Sequence, residues 1–316
     1  MPPTQPLCID LDQPGLTGFR SFISAWLYRD THTSLVVDPG PASTIPHLVD
    51  TLQQSGVNRL DYILLTHIHI DHAGGAGALL AAYPEAQVIC HPDGIAHLVA
   101  PEKLWQGSLK VLGKTAEAYG AIVPVPKEHI GFSDVLGDSG IRAFRTPGHA
   151  PHHCCYLIDD LLFAGEVAGV RSNVSRGIYM RPATPPRFLL EVALDSIDRM
   201  LNLQPKRMVF AHHGLVDDAI RHLQIGRWQL QLWVQGVATI IDLADAEREN
   251  AFFDWLLGHD PVFQRIDQLP ADLLERERIF LGNTLRGMLE YVRSLPTESR
   301  VKLLEMSLTI PAGVFE

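Results

Sequence analysis

Short apolar runs alternate with helical stretches along the first two thirds of the chain. Ala25-Trp-Leu-Tyr28 and Ser34-Leu-Val-Val-Asp38 read as strands around the polar turn at 29–33, and Pro39-Gly40-Pro41 ends the second. Residues 45–55 predict a helix stopped by Gly56, and Tyr62-Ile-Leu-Leu-Thr66 a further strand. Residues 73–83 are rich in small residues and predict a helix, 87–90 a strand, and 104–119 some helix. The pattern then turns to strands at 141–146, 154–158 and 161–164, the last two joined at Asp159-Asp160. An amphipathic helix over 188–203 precedes a strand at 207–210. Alternation of this kind predicts a layered α/β fold.

Beyond residue 222 the pattern is helical throughout. Leu230, Trp233, Val237 and Ile241 share one face, as do Leu281, Leu285, Met288, Leu289 and Val292. Such stripes are helix packing surfaces. Two domains follow as an expectation, residues 1–222 and a helical extension at 223–316, the latter a lid or a dimerisation element.

Charge and cysteine usage narrow the function classes. A formal net charge of −10 over 316 residues argues against nucleic acid as a partner. No apolar stretch is long enough to span a bilayer, so no membrane partner is expected. The N-terminal residues lack the pattern of a signal peptide. Cysteines 8, 90, 154 and 155 show no C-x-x-C spacing and read as reduced thiols, which predicts a cytoplasmic protein.

The candidate chemistry lies at strand ends. Eight of the fifteen histidines fall in three clusters, 67/69/72, 149/152/153 and 212/213, and each cluster follows a predicted strand. The densest is Thr66-His67-x-His69-x-Asp71-His72. A polar helix cap would account for the aspartate there but not for three histidines. Imidazole and carboxylate together suit zinc, iron or manganese. A fourth strand end, Leu162-Phe-Ala-Gly-Glu166, adds a carboxylate whose bland reading is a turn cap.

With these elements in view the chain resembles the metallo-β-lactamase superfamily over roughly residues 20–222. The carrying motifs stand in the family's order: Val37-Asp38-Pro-Gly40, Thr66 to His72, Thr146-Pro-Gly-His149, Phe163-Ala-Gly-Glu166 and His212-His213-Gly214. The resemblance implies an αββα four-layer sandwich with a C-terminal all-helical extension, and two divalent metal ions, zinc with iron or manganese as alternatives. It implies His67, His69 and His149 at the first metal, and Asp71, His72 and the last histidine at the second. His213 precedes glycine, as the family's terminal histidine does, and is preferred to His212. The family usually carries an aspartate bridging the metals where Glu166 stands. The longer glutamate leaves open a shifted bridge, single-metal binding or a carboxylate swung away.

The implied reaction is hydrolysis of a small ester, thioester or lactone by a metal-activated hydroxide, with Asp71 as the catalytic proton carrier. Asp38 is expected to hold an imidazole in place. Alternatives are a phosphodiesterase, a mononuclear-iron thiol (persulfide) oxygenase and a non-catalytic regulatory protein. Tyr179, Arg181 and His153 are candidate substrate-binding residues. The expected partners are a small-molecule substrate and a second copy docked through the C-terminal helices.

Overall fold

The structure is a computed structural model and describes residues 5–312. The described residues form two compact units interleaved in sequence: residues 5–145, 152–165 and 209–214 make the first, and 146–151, 166–208 and 215–312 the second. The expected boundary at residue 222 falls inside a continuous helix, Ala219–Ile240.

The first unit is built on a six-stranded sheet of β1 (Leu7–Asp10), β2 (Ser24–Arg29), β3 (Ser34–Val37), β4 (Tyr62–Leu64), β5 (Gln87–Ile89) and β6 (Ile130–Gly131), in that order. The pairings β1–β2 and β2–β3 are antiparallel, and those from β3 to β6 are parallel. Parallel strands require crossovers, and the helices supply them. α1 (Ile45–Gln54) joins β3 to β4; α2 (Ile70–Ala73) and α3 (Ala76–Ala82) join β4 to β5; α4 (Pro92–Val99), α5 (Glu102–Leu112) and α6 (Lys114–Tyr119) lead toward β6. Residues 25–28 are all buried, which explains why β2 reads as an unbroken apolar run rather than an alternation.

The antiparallel strands β7 (Arg142–Arg145), β8 (Cys154–Ile158) and β9 (Leu161–Phe163) face that sheet within the same unit. The Tyr156 hydroxyl reaches across to the carbonyls of Leu65 and Ile89 at 2.9 and 3.0 Å. Phe163 packs edge-on against Tyr28. Buried aromatic rings thus weld the two layers, and the Tyr156 hydroxyl finds acceptors, as burial demands.

The single helix expected over 73–83 is split. The N–H of Gly75 donates to the carbonyl of Gly40 at 2.8 Å, and Gly40 N–H donates to His72 O at 3.0 Å. A side chain at position 75 would press on Ile45 and on the Gly40 carbonyl, so only glycine lets the Pro39–Gly40 turn dock there. That docking ends α2 just after the histidine motif.

The second unit contains β10 (Val170–Ser172) paired antiparallel with β11 (Tyr179–Arg181), then α7 (Leu190–Asn202), β12 (Arg207–Val209, whose last residue belongs to the first unit), β13 (Leu215–Val216), α8 (Ala219–Ile240), α9 (Asp245–His259), α10 (Ala271–Ser294) and α11 (Thr297–Glu305). α8 packs against α7, α9, α10 and α11. The two predicted stripes are absorbed by this packing: Leu230, Trp233, Val237, Leu281, Leu285, Met288, Leu289 and Val292 are all buried. Trp233 meets Phe252 and Phe263 edge-on, and its indole N–H donates to the buried carboxylate of Asp260 at 2.7 Å. Among the described residues no helix is long and apolar enough to cross a membrane.

Candidate metal centre

Asp38 follows β3 in a left-handed conformation, φ +51°, which turns its carboxylate back toward the end of β4. One oxygen accepts the N–H of Thr66 at 2.7 Å; the other accepts the Thr66 hydroxyl at 2.6 Å and stands 3.2 Å from Nδ1 of His72. The Thr66 oxygen is also 3.1 Å from Nδ1 of His67. A hydroxyl has one proton, and here it goes to Asp38, so the oxygen accepts from His67 Nδ1–H. Both imidazoles therefore hold a proton on Nδ1, which leaves Nε2 as the nitrogen a metal would take.

Chain geometry then gathers the donors of the first unit. His69 is the residue before α2, and Asp71 and His72 sit in that helix's single turn. The rings of His67 and His72 lie 4.2 Å apart, and those of His67 and His69 4.6 Å apart. Backbone bonds from Ala164 N–H to Val209 O and from Ala211 N–H to Gly165 O lay the turn after β12 alongside β9. One donor atom each from Asp71, His72 and His212 then falls within 4.8 Å of the others.

The turn brings His212, rather than the expected His213, to Asp71 and His72. Nε2 of His212 is 3.8 Å from the Asp71 carboxylate, and its ring lies 4.8 Å from that of His72. His213 points elsewhere, with Nε2 3.3 Å from Asp10. The cause is local: Phe210 N–H donates to Gly214 O, closing a tight turn that sends adjacent side chains in different directions. The ring of Phe22 stacks on His212 at 4.1 Å and 13°, and fixes its plane.

Electrostatics agree with a cation-binding role. Burial pushes the Asp71 carboxyl up, but His72, His212 and His69 beside it outweigh that and hold it well below the usual carboxylate range. Burial opposes charge on His72 as well, yet Asp71 and Asp38 raise it well above an ordinary histidine. Two carboxylates thus draw positive charge into this cluster, and a divalent cation satisfies the same demand.

His149 and Glu166 belong to the second unit. Nδ1 of His149 lies 2.9 Å from the carbonyl of Ala183, which can only accept, so the proton is on Nδ1 and Nε2 again carries the lone pair. That Nε2 stands 3.0 Å from Glu166 Oε2. Two acceptors this close call for a proton or a cation between them. The Pro147–Gly148 turn that presents His149 is pinned to α7: Ser196 Oγ donates to Pro147 O at 2.6 Å, and a side chain at position 148 would meet Ala193 at 3.0 Å.

The three expected substrate residues are placed otherwise. His153 is fully buried, its ring 5.5 Å from His67 and its edge against Gly165, so it backs His67 rather than facing solvent. Tyr179 and Arg181 are also buried. The Tyr179 hydroxyl donates to Glu277 at 2.9 Å, and the Arg181 guanidinium pairs with the same carboxylate. A second arginine, Arg276, donates to the other Glu277 oxygen at 2.9 Å. His152 accepts the N–H of Ile68 at 3.4 Å. Sequence reasoning missed Glu277 and Phe22. Glu277 left one signal, a carboxylate at i+4 from Leu273 and i−4 from Leu281 on an apolar helix face. Phe22 left none.

Comparison with known proteins fits this geometry. The model of the metallo-beta-lactamase superfamily matches residues 18–212, and the chain belongs to that superfamily; it has the αββα fold of the family, with α8–α11 as a C-terminal helical addition. The chain is 34% identical over 215 residues to the metallo-beta-lactamase fold-containing protein ST1585 of Sulfurisphaera tokodaii, covering 65% of this chain and 78% of that one. The crystal structure of ST1585 superposes with a TM-score of 0.65 at 26% identity, over 92% of this chain and all of that one. A hydroxyacylglutathione hydrolase of Cupriavidus taiwanensis is 29% identical over 201 residues, 62% of this chain and 64% of that relative.

Proposed function

We propose that the chain is a metal-dependent hydrolase acting on a small thioester, with esters and lactones as neighbouring substrates. The observation that carries this reading is the shared anchoring of His67 and His72: Thr66 and Asp38 each take a proton from Nδ1, so Nε2 of both rings is the nitrogen left to a cation. The hydroxyacylglutathione hydrolases among the relatives favour a thioester within that class. In this reading His67, His69 and His149 hold one metal, as the family resemblance implies, and Asp71, His72 and His212 hold a second. Glu166 contributes a carboxylate beside His149. Zinc suits this nitrogen and oxygen donor set, with iron or manganese as alternatives.

When bound, the metal supplies Lewis acidity and makes a water nucleophilic at neutral pH. The protein's own groups do the rest. Asp71 is placed to orient the attacking water and to pass its proton on to the departing thiol. Asp38 keeps His72 in one tautomer, and Phe22 holds the plane of His212.

Turnover of acyl-glutathione thioesters, aryl esters, lactones and phosphodiesters by zinc-loaded and iron-loaded protein tests the reading, with metal content measured in parallel. Thioester hydrolysis that drops at least about a hundredfold in Asp71→Asn supports it. Activity on none of the panel by fully loaded protein would overturn it in favour of a regulatory role, and activity on phosphodiesters alone would move the substrate class.

A further inference from the structure

The turn at 210–214 carries a second imidazole that the proposed reaction does not use. His213 adopts φ +120°, a region that side chains other than glycine enter only at a cost of about 1–3 kcal/mol. The surrounding structure enforces it: Phe210 and Gly214 close the turn, and Ser24 Oγ donates to Ala211 O at 3.0 Å, anchoring the turn to β2. The strained residue delivers its Nε2 to 3.3 Å from Asp10 Oδ1 on β1. Cys8 lies two residues before Asp10 on the same edge strand, so both side chains leave the same face, and its Sγ is 4.0 Å from the same oxygen.

We propose that Cys8, Asp10 and His213 form a further metal site, sharing no ligand with the Asp71–His72–His212 cluster and suited to zinc or another thiophilic divalent cation. One donor atom from each residue lies within 4.8 Å of the others, close enough for a single ion to reach all three with water completing its shell. Thiolate, imidazole and carboxylate together select zinc or cobalt over calcium or magnesium. The three are only partly covered, so an ion can enter from solvent.

Cys8 as a thiol carries a proton that an incoming cation must displace. Binding replaces that proton: the S–H bond breaks, a sulfur–metal bond forms and one proton leaves to solvent. The consequence for the fold is a clamp joining the edge strand β1 to the turn that presents His212.

Cobalt(II) titration of the full-length protein tests the site directly. Cys90, Cys154 and Cys155 are buried and lie in none of the donor clusters, so a thiolate-to-cobalt charge-transfer band in the near ultraviolet reports Cys8 alone. The proposal expects that band in the native chain, its loss in Cys8→Ser, and cobalt binding weakened about tenfold or more in Asp10→Asn, whose exposed side chain leaves folding intact. Absence of the band in the native chain, or its persistence in Cys8→Ser, would overturn the proposal. Neither readout depends on turnover, so the result stands apart from the hydrolase reading.

Discussion

Asp38 Oδ2 lies 3.2 Å from Nδ1 of His72 while its partner oxygen takes the backbone N–H of Thr66 at 2.7 Å. One buried carboxylate therefore supports the strand end and the ligand tautomer together. Asp38→Ala leaves the Thr66 N–H buried without an acceptor and should cost about 1–3 kcal/mol of stability in urea unfolding. Asp38→Asn keeps an acceptor for Thr66 but loses the charge facing His72. It should cost less stability, yet still weaken zinc binding about 10–100-fold in a chelator competition. Equal zinc affinity for native chain and Asp38→Asn would show that the carboxylate serves the strand alone.

Why some of this was legible in the sequence and some not comes down to range. The strands at 25–28, 34–38, 62–66 and 154–158 and the helix at 45–55 declare themselves through apolar periodicity, a local property, and their ends shifted by two residues at most. The helix at 73–83 was misjudged because its break depends on Gly75 bonding to Gly40, a contact between distant residues. Strand β1 is a four-residue edge with a polar end and gives no periodic signal. At the centre, the histidine motif was readable because four donors crowd six residues. The choice between His212 and His213 was not, because it is decided by the closure of the 210–214 turn. Arg181 looked like a loop arginine awaiting an anion; its partner, Glu277, lies 96 positions away.

The two adjacent histidines of that turn should separate cleanly in metal binding. His212 joins Asp71 and His72, whereas His213 joins Asp10 and Cys8. His212→Ala should remove the ion bound with Asp71 and His72 and leave the thiolate-to-cobalt band in place. His213→Ala should do the reverse. Cobalt titrations read by absorbance, with total metal measured by mass spectrometry, check both arms. Loss of the same ion in both variants would contradict the placement of the turn.

Gly165 is the one residue between β9 and Glu166 that nothing else can replace. Its φ is +55°, and an added Cβ would strike the His153 ring and come within 2.9 Å of the Thr66 Cβ. Both neighbours support His67, through ring packing and through the Thr66 hydroxyl. Gly165→Ala should therefore destabilise by about 1–3 kcal/mol through overpacking and also loosen zinc. Gly258, with no atom near its would-be Cβ and no special backbone, is the control: Gly258→Ala in α9 should gain stability, by up to about 1 kcal/mol. Thermal unfolding of both variants with and without zinc distinguishes the two positions.

Glu277 on α10 pairs with two buried arginines and accepts the Tyr179 hydroxyl, and the pH dependence of stability should report it. Burial pushes its carboxyl up, but Arg181 and Arg276 overcome this and hold it down to about 2 from an ordinary 4.5. A depressed carboxyl stabilises the folded chain fully above its unfolded pKa and stops doing so as pH falls through the folded one. Glu277 should therefore contribute about 3 kcal/mol above pH 4.5 that disappears toward pH 2. Glu277→Gln removes the charge at every pH, so its stability should be lower at pH 7 and flatter across that window. Glu277→Ala, which strands both arginines in the interior, should cost about 3–5 kcal/mol. Urea unfolding from pH 7 down to the acid transition checks the series, and a Glu277→Gln profile parallel to that of the native chain would mean that other carboxylates set the acid limb.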